Sequence, residues 1–77
     1  MEINEVIEQL RDGCPKAVIN SSWDEDMKAW HVLVYKVGGG DGSPGFYNDI
    51  TPDLLPRITG KAIENMAGII NGFLGRA

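Results

Sequence analysis

The run from Ala29 to Val37 (Ala-Trp-His-Val-Leu-Val-Tyr-Lys-Val) constrains this chain more than any other stretch. In an extended strand, alternate side chains point to opposite faces. Trp30, Val32, Val34 and Lys36 then share one face, and His31, Leu33, Tyr35 and Val37 share the other. Both faces are largely apolar, which predicts the central strand of a sheet. Residues 16–23 (Lys-Ala-Val-Ile-Asn-Ser-Ser-Trp) read as the strand before it, with Asp24 to Lys28 as a polar hairpin connection. Phe46 to Asn48 is the candidate for a short third strand, so the sheet has two or three.

Two helices frame the strands. Ile3, Val6, Ile7 and Leu10 recur at helical spacing, while Glu2, Glu5, Glu8, Gln9 and Asp12 fall opposite, predicting an amphipathic helix over residues 3–12. Gly13 and Pro15 read as its stop. Near the other end, Thr51-Pro52-Asp53 has the form of a helix start, but Pro56 limits residues 52–56 to about one turn. Thr59 reads as the cap of a longer helix over residues 60–74, with Ile58 and Ile63 spaced as a hydrophobic staple. Its apolar stripe is Ala62, Ile63, Met66, Ala67, Ile69, Ile70, Phe73 and Leu74. Gly68, Gly72 and Gly75 lie on the other face, either as tolerated weak points or as a place for a second backbone to approach. The predicted order is α-β-β-(β)-α, one α+β domain over residues 1–77 with both helices on one face of a small antiparallel sheet.

Charge follows this layout. Residues 1–53 carry ten acids against four bases, a net −6, and residues 54–77 carry one acid against three bases, a net +2. The acids come in groups: Glu2, Glu5, Glu8 and Asp12; Asp24, Glu25 and Asp26; and Asp41, Asp49 and Asp53. Such a surface repels nucleic acid and anionic membranes and favours basic partners. No apolar run approaches the ~20 residues that span a bilayer. Met1-Glu2-Ile3-Asn4-Glu5 lacks the basic and apolar regions of a signal peptide, so a cytoplasmic setting is expected. Cys14 is the single cysteine, so no internal disulfide can form.

Familiar reaction chemistry finds no support. One histidine and one cysteine are too few for a zinc site, and Asp24-Glu25-Asp26 lacks the ligand spacing and glycine of a calcium loop. A Cys14–His31 pair is ruled out by distance, because the hairpin sets His31 beside Ser21 at the turn end, about seven residues or roughly 23 Å from Cys14. His31 is then expected to serve packing or partner contact beside Trp30, and Cys14 to be a small buried hydrophobe at a helix–strand corner. The glycine-rich loop of residues 38–45 lacks the GK[ST] and following helix of a phosphate cradle. The expectation is a protein with no catalytic residues, no cofactor and no metal.

The element order resembles that of double-stranded-RNA-binding domains. Members of that family read RNA through lysines at the start of the last helix. Here that stretch is Thr59-Gly60-Lys61-Ala62, with one lysine, and the first helix is acidic. The resemblance therefore implies the topology without the RNA binding. In size and acidity the chain is similar to phage and mobile-element inhibitors, anti-CRISPR proteins among them. That similarity implies a non-enzymatic protein-binding module docked on the basic, nucleic-acid-binding surface of a larger protein or ribonucleoprotein. The contact residues expected are Glu2, Glu5, Glu8 and Asp12, then Asp24, Glu25 and Asp26, with Trp23 and Trp30 as apolar anchors. The alternative is a homodimeric structural or regulatory subunit, since a small unstapled domain often gains burial by self-association.

Overall fold

Ile3, Val6, Ile7 and Leu10 lie on one side of α1 (Ile3–Gly13), and all four are buried. The computed structural model in which they do so describes residues 1–36 and 45–76, the side chains of 46, 47, 75 and 76 excepted. After α1 come β1 (Ala17–Asp24), β2 (Ala29–Lys36), β3 (Gly45–Ile50), a 3-10 turn (Leu55–Arg57) and α2 (Gly60–Arg76). The sheet is antiparallel in the order β1-β2-β3, so the run apolar on both faces is the central strand, as its pattern predicts. Both helices pack on one face of it, completing an α+β fold. The Cα atoms span 32 × 28 × 16 Å, the thin dimension being one helix layer on one sheet.

Register decides which residues meet. Ile19 pairs with Val34, and Trp30 with Ile50. Buried Ile19, Val32, Val34 and Ile50 therefore share the helix-covered face with half-buried Trp30. Ile63, Ala67, Ile70 and Leu74 of α2 close the core together with α1. Val18, Asn20, Ser22 and Asp24 of β1, His31, Leu33 and Tyr35 of β2, and Asp49 of β3 lie on the other face.

Several expectations shift. β1 ends at Asp24 rather than Trp23, so Ser22, not Ser21, stands opposite His31. Asp24 Oδ1 accepts the N–H groups of Asp26 (2.9 Å) and Met27 (3.0 Å), which folds residues 25–28 into a four-residue turn and keeps Asp24 in the strand. The third strand is longer than Phe46 to Asn48, running from Gly45 to Ile50. Ile69 is 60% exposed, not part of the core stripe. On a 100° helical wheel it stands about 130° from the line of Ile63, Ala67, Ile70 and Leu74. The glycine-rich loop, apart from Gly45, and Val37 lie outside the described residues.

Capping and close approach fix the helices. Thr59 Oγ1 accepts the N–H of Ala62 at 3.2 Å, the expected N-cap bond. Gly13 ends α1, and it also meets α2: a Cβ there would lie 3.1 Å from Ala67 Cβ. Asn71 Nδ2 donates to Gly13 O at 3.0 Å at the same crossing. Cys14 is fully buried beside it, with Sγ 3.7 Å from Ala67 O, and burial pushes its thiol pKa up. At the edge of the sheet, the Arg11 guanidinium donates to Ile19 O from Nε (3.0 Å) and Nη2 (2.7 Å). That carbonyl lies on the edge strand, where charged cover discourages further strand pairing.

Candidate partner-binding surface

The apolar side of α1 is spent on the core, which turns its other side outward. Glu2, Glu5, Glu8 and Asp12 are all exposed there. Among the described residues, the ion pairs join Lys28 to Glu25 and His31 to Asp24 and Asp49, so none neutralises an α1 acid. At the start of α1, Glu2 and Glu5 border a cleft of about 490 Å³ whose other walls include Trp30, Pro52, Leu55 and Pro56. Met1 also lines it, its amino group donating to Leu55 O at 2.8 Å. The fold thus brings three expected contact residues, Glu2, Glu5 and Trp30, to one concave site. Glu8 and Asp12 continue the acidic stripe along the helix.

The hairpin tip is arranged differently. Trp23 Nε1 donates to Glu25 Oε2 at 2.7 Å, and Lys28 pairs with Glu25 Oε1. The Lys28 ammonium, followed by the Trp23 N–H, holds the Glu25 carboxyl below its usual range. Asp24 is occupied by the turn amides and by His31, whereas Asp26 stands exposed. Trp23 is 38% exposed and meets Trp30 edge-on, with ring centroids 5.1 Å apart at 60°. Trp30 is both a cleft wall and part of the core margin.

The face of the sheet away from the helices carries a group that the sequence reading did not assemble. His31 Nδ1 lies 2.6 Å from Asp49 Oδ1, and its Nε2 lies 2.8 Å from Asp24 Oδ2. Asp49 is the direct cross-strand partner of His31, and Asp24 is the diagonal one, two residues beyond Ser22. Hydrogen bonding to Asp24, then to Asp49, raises the His31 pKa above its ordinary value. The His31 bond, followed by the Met27 amide, lowers that of Asp24. Both ring nitrogens face carboxylates, leaving neither to take a proton from Ser22. The two carboxylates bind opposite edges of the ring and do not converge on one point. Among the described residues no group of three or more His, Cys, Asp or Glu is placed to hold a metal ion.

The acids therefore do not make one platform. The α1 carboxylates lie on the helix side of the molecule, and Asp24 and Asp49 lie on the opposite side of the sheet. Asp41 falls outside the described residues. Asp53 is held below the usual carboxyl range by its bond with Thr51, then its own backbone, with a smaller pull from Arg57. Among the described residues no helix is long and apolar enough to cross a membrane. No protein-family model, no curated protein and no solved structure matches this chain.

Proposed function

We propose that this protein is a small non-enzymatic binding module that takes a basic segment of a larger protein along α1. The observation carrying this reading is the unneutralised stripe Glu2, Glu5, Glu8 and Asp12, whose first two members border a cleft walled by Trp30. Carboxylates steer a cationic partner, and an indole beside them supplies apolar contact and a face for guanidinium. The hairpin tip contributes less, since Asp24 and Glu25 already have partners within the chain. Such a basic segment belongs naturally to a nucleic-acid-binding surface of a larger enzyme or ribonucleoprotein. Occupying it would make the protein an inhibitor of the phage or mobile-element kind, a reading supported by size and charge alone.

An arginine- and leucine-containing cationic peptide, titrated into labelled protein and followed by NMR, tests the reading. Shifts should concentrate on α1 and the Trp30 indole. Reversal of Glu2, Glu5, Glu8 and Asp12 to lysine should weaken binding by about 10–100-fold, on the order of four exposed charges at ~0.3–0.7 kcal/mol each. Unchanged affinity in that variant, or shifts confined to the far side of the sheet, removes α1 as the contact.

The second reading, a homodimeric subunit, has one observation in its favour. The helix-free sheet face exposes Val18 at 42% beside half-buried Leu33 and Tyr35. Sedimentation decides it: a monomer at micromolar concentration leaves the module reading alone.

A further inference from the structure

We propose that Asp24, His31 and Asp49 form a clamp across all three strands that holds only while the His31 ring carries both of its protons. Loss of one proton then loosens β3 and the β1–β2 turn.

The argument starts from donors and acceptors. An ionised carboxylate only accepts hydrogen bonds, and a neutral imidazole has a single N–H to give. With carboxylate oxygens 2.6 Å from Nδ1 and 2.8 Å from Nε2, a neutral ring would set one lone pair against an oxyanion. The imidazolium alone satisfies both sides. It also places a positive charge between two negative ones, which its loss would leave repelling each other.

Among the described residues, the ion pairs of Asp24 and Asp49 are with His31. Asp24 faces the ring from β1 and Asp49 from β3. On β2, titratable Tyr35 is on the same face, four residues along. Lys28, in the turn, is paired with Glu25. The helices pack on the other face of the sheet, and the charge that reaches round the edge of this one is Arg11 of α1, whose Nη2 donates to Asn20 Oδ1 at 3.5 Å, four residues before Asp24 on β1.

The raised pKa of His31 and lowered pKa of Asp24 agree with the geometry and fix the direction. For His31 the added stability is complete below the unfolded value of ~6.5 and disappears as pH climbs through the higher folded value. For Asp24 it is complete above the unfolded value of ~3.9 and disappears as pH falls through the lower folded one. Clamping is therefore strongest in mildly acidic solution, between about pH 4 and 6.5. β3 is an edge strand paired with β2 alone, and it runs through Ile50 toward Pro52 and Leu55 of the cleft wall. Its Asp49 end is thus where release should appear.

His31 is the only histidine, so its ring nitrogens can be followed by NMR in the intact protein without ambiguity. Both should carry protons below a midpoint that lies above the free-histidine value. Amide exchange at Asn48, Asp49 and Ile50, corrected for its intrinsic pH dependence, should rise about tenfold per unit of pKa displacement as the ring titrates. Asp49→Asn should lower the midpoint, and His31→Gln should give fast exchange at these amides without the added pH dependence. If His31→Gln fails to fold, the titration of the unaltered chain decides. A midpoint at or below the free-histidine value, or β3 exchange indifferent to the titration, overturns the proposal.

Discussion

Lys28 is the one described non-glycine residue with positive φ, at 53°. A side chain in that left-handed region costs roughly 1 kcal/mol, which glycine avoids. What lysine returns is its pair with Glu25, and both side chains are largely exposed, where such pairs contribute about 0–1 kcal/mol. Lys28→Gly should therefore leave stability unchanged or raise it by up to about 1 kcal/mol, read as a higher urea midpoint at constant slope. A clear loss would mean the Glu25 pair anchors the turn. Gly13 is the converse case. It is needed for space against Ala67 and not for φ, so its role as a helix stop, which the sequence does predict, is only half of its use.

Each element shows where the sequence speaks clearly and where it does not. α1 is legible because its periodicity runs unbroken and burial follows it, and β2 because it is apolar on both faces, with Val32 and Val34 buried and Leu33 and Tyr35 half-buried. Register was harder to read, because it depends on where a turn begins. Asp24 reads as a loop residue by composition, yet its carboxylate caps the turn and its backbone completes β1. Asp49 likewise falls one residue beyond the predicted third strand. Each is one position outside the expected strand, and that is why the clamp around His31 stayed hidden. Alternation did hold the signal: once the strands are extended by a residue, Asp24, His31 and Asp49 share a face.

The glycines of α2 illustrate the same limit. Gly68 and Gly72 are exposed, and a Cβ added at either meets nothing within 4 Å. Within one chain they provide no close approach and weaken the helix. Alanine at each should raise stability by up to about 1 kcal/mol, measured by thermal or urea unfolding. Were Gly68→Ala or Gly72→Ala instead to weaken self-association or partner binding, that face of α2 would be a contact after all.

At the scale of the molecule, the decisive quantity is how little core there is. Among the described residues fourteen apolar side chains are buried, and they come from α1, α2 and one face of the sheet, apart from Cys14 and Ala29. A 77-residue domain at ~0.05–0.15 kcal/mol per residue has roughly 4–11 kcal/mol in total. Leu10 is fully buried on α1, the helix that carries the acidic stripe on its opposite side. Its replacement by alanine should cost about 2–5 kcal/mol, a large part of that total, and lower the melting temperature by roughly 10–30 °C. Ile69→Ala, at a residue 60% exposed on α2, should change stability by no more than ~0.5 kcal/mol. The contrast matters for function as well as for folding. Charge reversal along α1 alters exposed side chains, so it should weaken partner binding by the expected ~10–100-fold at nearly constant stability. Leu10→Ala should lose binding only as the fold itself is lost. A Leu10→Ala protein that melts within a few degrees of the parent would mean α1 is not seated on the sheet. The acidic stripe would then have no rigid backing from which to present its carboxylates.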